Sequence, residues 1–435
     1  LSAVAMSEFF PVQIDFFSHR SEPVGTFEED MLHLGYRLTE STGKQPRLKG
    51  RLELRPEINL ADYRVETVFD WVDLAFCTTG THQARNLQAK LTKELSDRKG
   101  KGALYVYGPE GESQYQGSSF IVRIQDAAPD DLIGVCRTLR ESYDVKKDVS
   151  GNRFFVVGWE LAVDFYPEKP DASEASLMLW RCRLSEVLRK HLWVADEYIL
   201  DHNRRPRFYH DGLEQAERVF SSTNLNTGNW KSTRLLKRLS KPEHHNKPPI
   251  DGTFYVGDPT PKPGARTTCF GYRLQDKVTD RRSKGDVHFL PLETRRSRIE
   301  IFWMVNRIPP EDPAACEGLP LFEFFMKDFG ALRSQHFQFQ LPTVDRCGSQ
   351  ANSTELAIFE RSGVYGLSLY HRAKAAREMA EWKASPKGER GTKPGKLPAS
   401  SGHTVSFDEL ERPMKDKLRG LSRRWKRAAR QTDDI

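Results

Sequence analysis

"NRFFVVGWELAVDFYPE", residues 152 to 168, decides how this chain is read. Phe154 to Val157 and then Trp159, Leu161, Val163 and Phe165 mark a buried strand. Side chains alternate along a strand, so Trp159, Leu161, Val163 and Phe165 share one face, and Glu160, Ala162 and Asp164 share the other. Two carboxylates on one face of an apolar strand have two readings. In one they pair with arginines or face water at a sheet edge. In the other they hold a hard divalent ion, since Mg²⁺ and Mn²⁺ take oxygen ligands from carboxylates.

Around this stretch the pattern changes period repeatedly. Residues 66–76 alternate as a strand, and residues 82–95 have helical spacing through Ala84, Leu87, Leu91 and Leu95. Strands are expected at 103–107 and 118–125, and helices at 128–143 and 171–193. Three further strands are expected at 252–258, 267–278 and 296–305, with helical segments near 319–335 and 366–383. The Pro-rich "KPEHHNKPP" reads as a solvated loop. Hairpin-like strands with helices between them predict an α+β fold: a mainly antiparallel β-sheet with helices packed on it, plus a basic C-terminal helix.

The 435 residues allow two or three domains, or one large domain with appendages. We divide them into an N-terminal extension (1–66), a catalytic-type domain (67–310), a helical subdomain (311–383), a linker (384–404) and a basic tail (405–435). The six cysteines have no disulfide-framework or zinc-type spacing, which favours a reducing cytoplasm. No apolar run is long enough to span a membrane, and the first residues lack the basic start of a signal peptide.

Net charge is +7. Residues 412–430 hold nine Lys or Arg against Asp416 alone, a net +8, so the rest of the chain is about −1. Met414, Leu418, Leu421, Trp425 and Ala428 form one apolar stripe at helical spacing. Either this helix docks by the stripe, or it hangs on the linker and reaches nucleic acid. Arg419, Arg423, Arg424, Lys426 and Arg427 are the expected phosphate contacts, and Arg298 joins them as a DNA-binding candidate.

A third acid, Glu300 in "RRSRIEIFW", lies on another apolar strand. Here the chain resembles the rolling-circle replication initiators of plasmids, phages and conjugative elements. "FDWVDLAF" is similar to that family's opening strand, "WELAVDFY" to its acidic strand, and "TFYVG", "YRLQDK" and "RIE" follow in the family's order, from Phe69 to Met304. The resemblance implies nicking of one DNA strand at an origin through a phosphotyrosine. Mg²⁺ or Mn²⁺ is then held by Glu160, Asp164 and Glu300, and DNA and a host helicase are the partners. A phenol is a weak nucleophile at neutral pH and needs such activation.

The family's "R-x-Y-x-K" strand departs here: "RLQDK" puts Gln275 at the tyrosine. Tyr272 is then the expected nucleophile, re-aimed by a bulge near Gly271, with Arg273 and Lys277 on the scissile phosphate. Tyr255 is a second candidate. On this reading Asp164→Asn removes nicking and spares the fold. Gln275 equally favours a non-nicking DNA-binding protein on the same scaffold. The aromatic residues Phe254, Tyr255, Phe270 and Tyr272 also suit a single-stranded RNA binder.

Overall fold

The computed structural model describes residues 14–15, 33–41, 44–99, 103–168, 172–193, 207–211, 218–221, 253–256, 269–283, 286–305, 312–347, 350–394 and 403–431. The fold is α+β, with every named strand pair antiparallel. The "KPEHHNKPP" loop lies outside the described residues.

The strands are β1 (Tyr36–Glu40), β2 (Arg51–Pro56), β3 (Tyr63–Gln83), β4 (Leu104–Tyr107), β5 (Gln116–Ala127) and β6 (Phe155–Pro167). They continue as β7 (Arg207–Asp211), β8 (Arg218–Ser221), β9 (Thr253–Val256), β10 (Cys269–Lys277), β11 (Thr279–Ser283) and β12 (Asp286–Phe289). The last are β13 (Arg296–Met304), β14 (Gln338–Cys347) and β15 (Thr404–Ser406). The helices are α1 (Ala84–Lys99), α2 (Pro129–Ser142), α3 (Glu174–His191), α4 (Leu321–Met326), α5 (Leu332–His336), α6 (Ser353–Ala384) and α7 (Asp408–Arg430).

The main sheet runs β8-β7-β9-β10-β13-β6-β3-β5-β4, with Leu319–Pro320 added against β6. Its inner face carries Phe69, Val72, Trp159, Leu161, Val163, Leu274, Ile299 and Ile301, all in one core. Helix ends are stapled where the sequence offers an oxygen. Ser173 Oγ caps α3 by accepting from Ser176 N at 3.1 Å. At α2 the carboxylate of Asp131 accepts from Ala128 N at 2.8 Å.

α3 is tied to the sheet by Arg181, which donates to Asp276 at 2.7 Å, and by Ser297 Oγ, which donates to the Arg181 carbonyl at 2.7 Å. The basic C-terminal helix α7 is part of this core. Leu410, Met414, Leu418, Leu421, Trp425 and Ala429 are buried on it. The Trp425 ring lies 5.0 Å from Phe69, 5.3 Å from Phe324 and 4.8 Å from Phe325. The stripe is therefore a docking face, and the tail is fixed to the body. Of the expected linker, residues 385–394 fold back on α6: Trp382 Nε1 donates to the Gly391 carbonyl at 2.8 Å.

A second sheet pairs β14 with β2 and β15, and β2 with β1. Strands from the expected N-terminal extension and helical subdomain thus share one sheet, and the division expected at residues 66 and 310 does not follow the strand pairing. Arg51 ties the two segments together. Its guanidinium donates to Thr343 Oγ1 at 2.8 Å and to Glu355 at 3.2 Å, and it pairs with Asp345. His371 Nε2 lies 2.7 Å from Glu355, closing a buried network between β2, β14 and α6. Burial opposes ionisation of Glu355, but His371 and Arg51 together bring its pKa down to about 2.

Candidate functional site

The outer face of the main sheet is built by alternation. Facing residues of β10 and β13 are Arg273 with Glu300 and Gln275 with Arg298, and facing residues of β13 and β6 are Arg298 with Asp164 and Phe302 with Glu160. Directly opposite residues share a face, so these groups converge. β3 adds two more by a route that alternation does not predict. Its register against β6 slips between Phe69 and Trp71, leaving Asp70 as an extra residue. Asp70 and Trp71 then both serve the outer face.

The three expected acids do come together, and arginines fill the space between them. Arg298 donates to both oxygens of Asp164, at 2.5 and 2.8 Å, and also to Asp70 at 2.6 Å and Glu300 at 3.1 Å. Arg273 bridges Glu160, at 2.8 Å, and Glu300. Gln275 Nε2 donates to Glu300 at 3.0 Å, and Trp71 Nε1 donates to Glu160. Arg296 Nε is 3.0 Å from Asp164 but off the N–H direction, an electrostatic contact without a hydrogen bond. Arg298, Asp164 and Glu300 are almost wholly buried.

Burial, reinforced by the neighbouring Glu300, pushes the pKa of Glu160 up to about 8 against the pull of Arg273. Burial acts the same way on Asp70, but Arg298 and Lys277 outweigh it and hold that carboxyl below its usual value. Burial disfavours the charge on Arg273, yet Glu300 and Glu160 more than restore it, and the guanidinium stays charged. Asp70, Asp164 and Glu300 face the guanidinium groups of Arg273, Arg296 and Arg298.

This donor set does not fit Mg²⁺ or Mn²⁺. Both oxygens of each expected ligand already accept from a guanidinium, an amide or an indole. Among the described residues no group of three or more His, Cys, Asp or Glu has the geometry to hold a metal ion. The oxygens expected to hold the metal at Glu160, Asp164 and Glu300 are occupied by ion pairs and hydrogen bonds of the protein's own groups.

The expected nucleophile is also displaced. Tyr272 shares the inner face with Leu274, is 2% exposed, and places its hydroxyl 3.5 Å from His336 Nδ1. The β10–β13 register runs unbroken from Cys269 to Lys277, so no bulge at Gly271 re-aims it. At the position where the resemblance expects tyrosine, Gln275 stands on the site face. Lys277 lies on the same strand near Asp70, where it stabilises that carboxylate. Arg298, expected to touch DNA, is enclosed by its carboxylates. Asp70 and Trp71 were missed because only the slipped register brings them here.

On α7, Arg419, Arg423, Arg424 and Arg427 are exposed and Lys426 is half-buried, opposite the docked stripe. No helix among the described residues is long and apolar enough to cross a membrane.

No protein-family model matches this chain, and no curated protein matches it. A solved structure of a rolling circle replication initiator protein from Geobacillus stearothermophilus is similar over 67% of this chain and 91% of its own length, with 12% identity and a TM-score of 0.25. At that level the likeness carries no argument about function.

Proposed function

We propose that this chain is a DNA-binding protein of the rolling-circle initiator type, which holds a DNA strand against the outer face of the main sheet. One observation carries the reading. The five stretches that resemble initiator motifs, in β9, β10, β13, β6 and β3, are consecutive neighbours in the sheet. Their polar positions, Gln275, Glu300, Glu160 and Asp164, meet on one face. Motifs scattered along the chain are thus brought onto one continuous surface.

The basic ridge of α7 supplies sequence-independent affinity through phosphate contacts. Because α7 is docked, the ridge is a rigid guide and not a tethered arm. The reading implies a cytoplasmic protein. A host helicase as partner rests on the resemblance alone.

Strand nicking is the second reading, and the register favours one residue for it: Tyr255 of β9 is paired with Arg273 of β10. A covalent adduct between the protein and single-stranded DNA, mapped by mass spectrometry, would establish it.

The test of the main reading is fluorescence anisotropy with labelled single- and double-stranded DNA across a salt series. We expect affinity to fall with salt. Replacing Arg419, Arg423 and Arg427 together by Gln should flatten the slope of log K against log[salt], by roughly 0.7 for each lost single-strand phosphate contact. No binding to any DNA at low salt overturns the proposal, and an unchanged slope removes α7 from it.

A further inference from the structure

We infer that the outer face binds a phosphodiester through Arg273 and does so without a divalent cation. The inference rests on the DNA reading above and adds the group that meets the phosphate and the metal independence of the contact.

Three observations lead to it. The oxygens of Glu160, Asp164 and Glu300 that a cation would need are all engaged by donors of this chain, as described above. The two guanidinium groups at the centre differ in access. The Arg298 side chain is 1% exposed and the Arg273 side chain 29% exposed. Finally, Arg273 commits Nε to Glu300 and one terminal nitrogen to Glu160, while Nη1 makes no hydrogen bond among the described residues. A guanidinium oriented on two sides with donors left over is prepared to take an oxyanion, and arginine recognises phosphate by just such paired donors.

The surrounding acids do not forbid this. Arg298 donates to Asp164 and Asp70, and Arg296 stands 3.0 Å from Asp164, so these acids are already held by other guanidinium groups. The carboxylate nearest to Arg273, that of Glu300, is shared with Arg298 and Gln275. Other anions could use the same guanidinium, so the test compares DNA with inorganic phosphate.

The experiment is anisotropy with a labelled single-stranded oligonucleotide and the full chain, in EDTA and then in Mg²⁺ or Mn²⁺, with thermal melting in the same buffers. Expected are equal affinities in EDTA and in metal, and no rise in melting temperature with Mn²⁺. Arg273→Gln should weaken binding by about tenfold or more, the loss of a charge-assisted hydrogen bond. Tyr272→Phe, on the opposite face of the sheet, should keep both fold and affinity and serves as the folding control. Inorganic phosphate should compete weakly in the wild type and not in Arg273→Gln.

Affinity or melting temperature that rises with Mn²⁺ and loses that rise in Glu160→Gln overturns the metal independence while the DNA reading stands. A folded Arg273→Gln protein that binds like the wild type overturns the role of Arg273. Failure to bind DNA in any buffer overturns both the inference and the reading beneath it.

Discussion

The two faces of the central strands share a backbone and differ in everything that hangs from it. On β10, Tyr272 and Leu274 enter the core while Arg273 and Gln275 lie on the opposite side. On β13, Ile299 and Ile301 meet helices while Arg298 and Glu300 meet carboxylates and guanidinium groups. The inner face is held by non-directional packing, and α7 closes it with Trp425 set among Phe69, Phe324 and Phe325. The outer face is held by directional pairs, each partner needing the next. Buried ion pairs add little net stability over apolar packing, but breaking one leaves a buried charge alone. The chain keeps such a network on a face that apolar residues would fill at less risk, which suits a face that meets a charged ligand.

The largest effect should come from the network's hub. Arg298→Ala leaves Asp164 without its main cation and takes one donor each from Asp70 and Glu300, and should destabilise the fold by about 3–5 kcal/mol, read from urea denaturation. Asp164→Asn should also destabilise, by removing the charge that holds Arg298 and Arg296. This reverses the expectation from the sequence that it would spare the fold. If either variant unfolds at the wild-type midpoint, the outer face is not a network.

The faces should also answer pH in opposite senses. Glu160 has a raised pKa, so its contribution is complete below its ordinary value near 4.5 and is lost as pH rises toward 8. His336, beside Tyr272 on the inner side, is driven by burial down to about 4. Its contribution is complete above about 6.5 and is lost as pH falls toward 4. Measured over that range, Glu160→Gln should remove the alkaline part of the stability loss and leave the acid part. An unchanged alkaline limb would mean that Glu160 is ionised throughout.

Tyr272→Phe should have the smallest effect, about 1 kcal/mol or less, since it deletes one long contact to His336 in a packed site. It should leave DNA affinity untouched. A large loss of DNA binding in a stable Tyr272→Phe protein would place this tyrosine on the outer face after all.

Much of this was legible in the sequence. Alternation put Glu160 with Asp164, and the helical stripe of α7 fell where the helix docks. Alternation is a local property, and these are local facts. What escaped was set by register between strands distant in the chain. Nothing in "RRSRIEI" says that Arg298 faces Asp164, since that follows only when β13 pairs with β6. The extra residue at Asp70 carries no glycine or proline to announce it. The pairing of β2 with β14, across about two thirds of the chain, likewise left the first strands looking like an extension. The stripe of α7 was plain, but its partner surface was assembled from β3, α4 and the turn at Phe329.

The central claim is that a DNA strand lies on the outer face, and photocrosslinking tests it most directly. Single-stranded DNA carrying 5-iodouracil is irradiated with the full chain, and the attached peptides are sequenced by mass spectrometry. The account predicts crosslinks in β10, β13 and β3, around Arg273, Phe302 and Trp71, that are lost in Arg273→Gln. Crosslinks confined to α7, or to the inner-face segments around Tyr272 and His336, would contradict it.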